Sequence, residues 1–255
     1  AVMRMVQDAD LRRSFDQASA DELVKSIEAR ASLSSPRLTP YVDRIRGETY
    51  KDLFEAAIEV VALGRETPDV RWLGWNDNWT VEFFPALARS FPDAKFIILV
   101  RDVRSSISSH VRTPEAHRIS LTMSFTRCWR KQLALAQHYQ AMPLFEDRLK
   151  VMTYEQLALE PERRAREFCE FLELDYLPDM VDASKFEAPE GGPWRGNSNF
   201  RDSPKEGIYL SSMDRWKTAL SKEAVRLIEF VAGPDLEFAG YDLSEQLDTG
   251  NSLWD

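Results

Sequence analysis

The stretch FPDAKFIILVRDVRSSISSH at residues 91–110 decides the fold. Its run FIILV at 96–100 is continuously apolar, which is typical of a parallel strand buried on both faces. Arg101 and Asp102 follow at once, and a serine-rich segment then begins a helix. A buried strand that ends in an arginine and a row of hydroxyls predicts a polar edge on an otherwise apolar sheet.

Strand and helix patterns alternate on both sides of this stretch. Apart from 95–100, strands are predicted at 70–75 and from 149, and helices at 8–30, 49–64, 80–91, 103–112, 118–141, 161–174 and 221–233, the last ending on Gly233. Ser19 and Glu22 have the spacing of a capping box, whereas 31–47 and 186–213 have loop composition. The alternation predicts an α/β fold with a central parallel sheet flanked by helices. Ligands bind beyond the carboxyl ends of the strands in such sheets, so Arg101 lies at the predicted binding edge.

Size and composition indicate how many domains the chain forms and which partners it is expected to bind. The 255 residues, 44% of them hydrophobic, are expected to form a single domain over 1–255. No apolar run approaches the roughly 18 residues of a membrane span, and two cysteines make no disulfide framework, so a reducing, cytoplasmic location is expected. The net charge of −9 argues against a nucleic-acid partner but permits a small anionic ligand in a local basic pocket.

The strand exit has the chemistry of an anion site. An arginine fork matches phosphate or sulfate with two parallel hydrogen bonds, and a helix N-terminus adds unpaired N–H groups. Four serines, at 105, 106, 108 and 109, supply further hydroxyl donors. In the alternative interpretation, Arg101 and Asp102 pair with neighbouring side chains and the serines cap a helix. Spacing alone leaves both interpretations open.

Four stretches in order resemble the sulfotransferases that use 3′-phosphoadenosine 5′-phosphosulfate (PAPS). They are WLGWNDNWTVEFFPALARSF, the stretch 91–110, VMTYEQLALEPERRAREFCEFLEL, and the C-terminal PWRGNSNF with its closing helix. The resemblance is greatest to the branch of tyrosylprotein and bacterial sulfotransferases, and it implies a three-layer fold like that of P-loop NTPases. It also implies that Arg101 and Ser109, eight residues apart, bind the 3′-phosphate and that Tyr154 lies by the adenine.

The resemblance also implies sulfuryl transfer from PAPS to a hydroxyl or amine acceptor, with 3′-phosphoadenosine 5′-phosphate (PAP) as product and no metal. Loop residues that could cover the donor are Asn197, Ser198, Ser211 and Ser212. Asp77 and His110 are the candidates for the base that removes the acceptor proton. Arg104 is either an outer ligand or a solvated helix residue. The acceptor could be a small molecule, a carbohydrate or a peptide, and the sequence does not decide the oligomeric state.

Two departures from the family pattern bear on activity. The family opens with a strand and a phosphosulfate-binding loop of the type Pro-Arg-Ser-Gly-Thr-Thr, which is absent from this sequence and is expected upstream of Ala1. The chain is therefore expected to bind the 3′-phosphate end of the donor yet transfer sulfate poorly. The family usually has a lysine near the position of Asn76, which can donate a hydrogen bond but carries no charge. A non-catalytic, sulfotransferase-like binding domain and a nucleotide-dependent kinase of related fold remain as alternatives.

Overall fold

The computed structural model describes residues 10–65, 70–76, 80–110, 119–186, 192 and 210–244. The chain is divided into two compact units. The first comprises Ala1–Phe96, Pro143–Arg148 and Glu187–Pro193, and the second comprises Ile97–Met142, Leu149–Phe186 and Trp194–Asp255. The single domain predicted over 1–255 stays a prediction.

The first unit is helical in its described residues. Its α-helices are α1 (Gln17–Ser34), α2 (Tyr50–Gly64) and α3 (Phe84–Ser90), and its 3₁₀ helices are Pro36–Arg44, Thr80–Phe83 and Pro143–Phe145. The 3₁₀ helix Pro36–Arg44 packs against both α1 and α2. Helix α2 begins as predicted, because Thr49 and Asp52 form a reciprocal capping box that satisfies two backbone N–H groups.

Three predictions for this unit are wrong. The side chain of Asp16 caps α1 by accepting from the backbone N–H of Ser19, so the helix begins before the predicted Ser19 cap. The predicted loop at 31–47 is largely helical, because proline fits the first turn of a helix and Pro36 begins one. Residues 70–76 form no strand, since no described strand supplies the ladder partner that their backbone groups need.

The second unit contains the sheet. Strands β1 (Phe96–Val100, whose first residue belongs to the first unit) and β2 (Leu149–Thr153) form a parallel pair. The α-helices of this unit are α4 (Val103–Ser108), α5 (Ile119–Gln140), α6 (Tyr154–Leu159), α7 (Pro161–Leu172), α8 (Trp216–Ala219) and α9 (Lys222–Phe238), and its 3₁₀ helices are Pro178–Met180, Ala183–Lys185 and Leu210–Ser212. None of the helices in the described residues is long and apolar enough to cross a membrane.

Strand β1 is covered on one face only. Ile98 and Val100 are buried, whereas Ile97 is 38% exposed and Leu99 is 49% exposed. The sequence predicted burial on both faces, and that prediction is wrong for this strand. An uninterrupted apolar run does not reveal which of its two alternating faces a helix covers.

Helix α9 continues past the glycine that was predicted to end it. It runs through Gly233 and Pro234 to Phe238. Ile228, Ala232 and Leu236 are fully buried, and they lie on both sides of the glycine. Packing of this continuous apolar face, where α9 contacts α5, outweighs the local preference of glycine and proline for a helix end.

Candidate functional site

The carboxyl ends of β1 and β2 bring two predicted site residues together. Arg101 follows β1 directly, and Tyr154 follows β2 as the first residue of α6. Because the strands are parallel neighbours, their last residues lie at the same edge of the sheet. The guanidinium carbon of Arg101 lies 4.5 Å from the centre of the Tyr154 ring, within the range of a cation–π contact.

Ser212, a third predicted site residue, completes this cluster from a distant part of the chain. Its carbonyl oxygen accepts a hydrogen bond of 2.9 Å from Nη2 of Arg101. Its hydroxyl lies 3.0 Å from the hydroxyl of Tyr154. Arg101, Tyr154 and Ser212, called the Arg101 cluster below, therefore form one connected polar surface at the sheet edge.

The Arg101 cluster contains one donor without an acceptor. Nε of Arg101 is buried and has no hydrogen-bond partner among the described residues. A buried donor left without a partner costs about 1–3 kcal/mol, and more when the group is charged. An anion that accepted from this Nε–H would remove that cost, so the guanidinium fits an oxyanion ligand.

Ser109 lies at the far end of α4 from Arg101. It is the C-cap of that helix, and its hydroxyl donates a 2.7 Å hydrogen bond to the carbonyl of Ser106. No hydrogen bond joins Ser109 to Arg101 within the described part of the chain. The structure therefore brings Tyr154 and Ser212 to Arg101, whereas the hydrogen bonds of Ser109 among the described residues go to Ser106 and His110.

His110 is exposed and anchored through one ring nitrogen. Its ring centre lies 4.8 Å from that of Phe125 on α5, and its Nδ1 lies 2.9 Å from the carbonyl oxygen of Ser106. A carbonyl can only accept, so Nδ1 carries the hydrogen in this contact. In the neutral ring, Nε2 is then the basic nitrogen, which is the form a general base requires.

Comparison with known proteins identifies the family of this chain. The family model described as Sulfotransferase family matches residues 3–179, well over half of the chain and a range that includes Arg101, Ser109 and Tyr154. The chain belongs to the sulfotransferase family. The predicted family is thereby confirmed, and the kinase alternative loses its support.

Two named sulfotransferases are similar to this chain in sequence. The chain is 27% identical over 173 residues to a protein-tyrosine sulfotransferase of Drosophila melanogaster, covering 65% of this chain and 34% of that protein. It is 25% identical over 183 residues to carbohydrate sulfotransferase 3 of Tetronarce californica, covering 64% of this chain and 40% of that protein. The chain thus spans well under two thirds of either relative.

The solved structure is a sulfotransferase domain from the curacin biosynthetic pathway. It superposes with a TM-score of 0.51 at 20% identity, covering 89% of this chain and 78% of that one. This likeness concerns the fold alone. It confirms the α/β fold that the alternation of strands and helices predicted and the sulfotransferase fold that the resemblance implied.

The backbone at the β1 exit is held by residues that the sequence did not single out for this role. The indole Nε1 of Trp129 donates a 2.8 Å hydrogen bond to the carbonyl of Arg101. The backbone N–H of Asp102 donates to Oε1 of Glu155 at 3.2 Å, and the hydroxyl of Tyr241 donates to Oε2 at 2.8 Å. Burial, together with the Glu155 carboxylate, raises the pKa of Tyr241 above its usual value.

Arg104 is neither an outer ligand nor a solvated residue, so both interpretations of it are wrong. It is 2% exposed, and its guanidinium forms two buried ion pairs, with Asp102 at 2.8 Å and with Glu229 on α9 at 2.6 Å. Its guanidinium carbon lies 4.1 Å from the ring centre of Trp216, which is itself buried. No periodicity reveals this arrangement, because Glu229 is distant in the chain and sits on an otherwise apolar helix face.

The structure does not describe all of the remaining predicted site residues. Asp77, Asn197 and Ser198 lie outside the described residues. The backbone of Ser211 belongs to the 3₁₀ helix Leu210–Ser212, and its side chain is outside the description. Among the described residues, no group of three or more His, Cys, Asp or Glu side chains could hold a metal ion.

Proposed function

We propose that this chain transfers the sulfuryl group of PAPS to a hydroxyl or amine acceptor. The sulfotransferase family, to which it belongs, generally uses PAPS. The observation that carries the proposal is the Arg101 cluster, in which a half-buried guanidinium with an unpaired Nε–H is stacked on an aromatic ring at the carboxyl edge of the sheet. In a 3′-phosphorylated adenosine, the guanidinium matches the charge of the 3′-phosphate and the ring matches the flat face of the adenine.

In this proposal Arg101 binds the 3′-phosphate and Tyr154 provides a face for the adenine. Ser109 donates a further hydrogen bond to the phosphate after its hydroxyl turns away from the carbonyl of Ser106. That carbonyl also accepts from Nδ1 of His110, so it keeps a partner when the hydroxyl rotates. The loop residues Asn197, Ser198, Ser211 and Ser212 cover the donor.

Sulfuryl transfer needs little covalent chemistry from the protein. The group moves in line from the donor to the acceptor oxygen or nitrogen, so catalysis consists mainly of positioning and charge stabilisation. One residue must accept the acceptor proton, and Asp77 and His110 are the proposed candidates. The free Nε2 of His110 supports the histidine, since its Nδ1 is already used by the backbone.

The names of two relatives suggest the class of acceptor. One is called a protein-tyrosine sulfotransferase and the other a carbohydrate sulfotransferase. We propose a hydroxyl acceptor on a peptide or a carbohydrate. A tyrosine hydroxyl, with an ordinary pKa of about 10, gives up its proton far more readily than a sugar hydroxyl.

The test is a calorimetric comparison of PAP with adenosine 5′-phosphate (AMP), which lacks the 3′-phosphate. One lost charge-assisted hydrogen bond costs about 1.5–3 kcal/mol, so the chain should prefer PAP by roughly 10- to 150-fold. Arg101→Ala should abolish most of this preference. The matched control is Arg163→Ala, which removes a guanidinium that is 63% exposed and paired on the surface of α7. Equal binding of PAP and AMP by the unmodified chain would contradict the proposal.

A second candidate function is nucleotide binding without catalysis. It is favoured by Asn76, an exposed and uncharged side chain near the position at which the family usually has a lysine. Transfer of radiolabelled sulfate from PAPS to a panel of tyrosyl peptides and oligosaccharides, measured on the full-length natural protein, separates the two functions. Tight PAP binding with no transfer to any acceptor would favour the non-catalytic function.

A further inference from the structure

Every nitrogen of the Arg104 guanidinium donates to a protein group. Its Nε and Nη2 donate to both carboxylate oxygens of Asp102, and its Nη1 donates to Glu229. Nη2 also donates to the carbonyl of Asp242 at 2.8 Å. Each of the three nitrogens thus donates to a protein group, and the side chain is only 3% exposed, so burial keeps this guanidinium away from a ligand.

The partners of Arg104 include the residue next to Arg101. Asp102 caps α4 by accepting from the backbone N–H of Arg104, and its carboxylate also receives the Arg104 guanidinium. The peptide between Arg101 and Asp102 is thus held through Asp102 on one side, while Trp129 binds the Arg101 carbonyl on the other.

Arg104 also holds the segment that contains Ser212. Its guanidinium stacks on Trp216, four residues beyond Ser212. In the same segment, the carbonyl of Met213 accepts a 2.6 Å hydrogen bond from the fully buried hydroxyl of Ser105. The carbonyl that receives Nη2 of Arg101 therefore belongs to a segment anchored on α4.

Glu229 is the second carboxylate that holds the Arg104 guanidinium, in addition to Asp102. Its side chain is fully buried on α9, and its two oxygens accept from Arg104 and from the backbone N–H and hydroxyl of Ser244. One cation therefore lies between two buried carboxylates, those of Asp102 and Glu229. Apolar side chains of similar volume often stabilise a core as well as a buried ion pair does. We therefore attribute to these ion pairs a fixed side-chain geometry and not a gain in stability.

We propose that Arg104, held by Glu229, is a positioning residue for recognition of the 3′-phosphate. In this role it contacts no ligand. It fixes the position of the backbone from which Arg101 projects, and it fixes the position of the Ser212 carbonyl that orients the Arg101 guanidinium. The inference rests on the proposed function, because it assumes that Arg101 binds the 3′-phosphate.

The test measures the ratio of the AMP and PAP dissociation constants in four proteins that form a double-mutant cycle. These are the unmodified chain, Arg104→Lys, Arg101→Ala and the double variant. Lysine keeps the charge but cannot bind Asp102 and Glu229 with the same fork of donors. Arg104→Lys should lower the ratio roughly 5-fold or more when Arg101 is present and leave it unchanged in the Arg101→Ala background.

Further variants keep the inference falsifiable. If Arg104→Lys does not fold, Glu229→Gln takes its place in the cycle, because it keeps the side-chain shape and removes the charge that faces Arg104. Ile228→Val is the control for loss of packing beside Glu229, and Arg130→Lys is the control for an ion pair between α5 and α9, where Arg130 pairs with Asp235. Both controls should leave the ratio unchanged, whatever their effect on the melting temperature.

The outcomes separate the two proposals. If the unmodified chain does not distinguish PAP from AMP, the proposed function fails. If it prefers PAP and the Arg104 and Glu229 variants keep that preference while losing stability, the proposed function stands and the positioning role is wrong. Equal losses of the ratio with and without Arg101 would also overturn the positioning role.

Discussion

Tyr154 combines two contacts that substitution can separate. Its ring faces the Arg101 guanidinium at 4.5 Å, and its hydroxyl lies 3.0 Å from that of Ser212. Tyr154→Phe removes only the hydroxyl contact, whereas Tyr154→Ala also removes the ring. The pair of variants therefore measures the ring and the hydroxyl independently.

The structure sets the expected size of each effect. A neutral hydrogen bond contributes about 0.5–1.5 kcal/mol, so Tyr154→Phe should weaken PAP binding by roughly 10-fold at most. Stacking of a base on an aromatic side chain contributes about 1–3 kcal/mol, so Tyr154→Ala should weaken PAP and AMP binding alike by roughly 5- to 150-fold. PAP should lose additional affinity, because Arg101 also loses the ring that supports it.

The assay is calorimetric titration of each variant with PAP and with AMP. Tyr176 offers a matched control, since it forms a second arginine–tyrosine stack in the same unit, with the guanidinium carbon of Arg166 3.9 Å from its ring centre. Tyr176→Ala should leave both affinities unchanged. Equal losses for Tyr154→Ala and Tyr176→Ala would refute the assignment of Tyr154 to the adenine.

Two predictions concern stability as a function of pH. Burial and the nearby Glu155 carboxylate raise the pKa of Tyr241, so the stability that the protonated hydroxyl provides should be full below the ordinary tyrosine pKa of about 10 and fall above it. In urea titrations above that pH, the unfolding free energy of Tyr241→Phe should fall less steeply with pH than that of the unmodified chain. Equal slopes would count against the raised pKa. The hydrogen bonds with Thr49 lower the pKa of Asp52, so the stability that they provide is present above the ordinary aspartate pKa and is lost as the pH falls. Asp52→Ala, which removes the carboxylate that accepts from the backbone N–H groups of Glu48 and Thr49, should cost about 1 kcal/mol of unfolding free energy at pH 7 and less below about pH 4. A cost independent of pH would contradict this role of the capping box.

Local signals in the sequence predict much of the fold. The apolar run before Arg101, the strand before Tyr154 and the proline that begins α7 all lie where predicted, because each is determined by a few neighbouring residues. Segments that depend on a distant partner are not predictable in this way. The stretch at 70–76 has strand-like residues but no strand beside it among the described residues, and Gly233 lies within a helix whose apolar face continues beyond it.

The same distinction applies to the candidate site. Arg101 and Tyr154 are predictable because parallel strands place their carboxyl ends at one edge. The burial of Arg104 is not, because its charge is balanced by Glu229, more than a hundred residues along the chain. A sequence pattern identifies an arginine on a short helix but contains no information about the carboxylate that a later helix brings to it.

A crystal structure of the chain with PAP bound tests the central claim most directly. The quantity to be measured is the distance between the Arg101 guanidinium nitrogens and the oxygens of the 3′-phosphate. We expect Nε of Arg101 to lie about 2.7–2.9 Å from a 3′-phosphate oxygen, with the adenine against Tyr154. A nucleotide bound elsewhere, or one whose 3′-phosphate lies beyond hydrogen-bond distance of Arg101, would contradict the account.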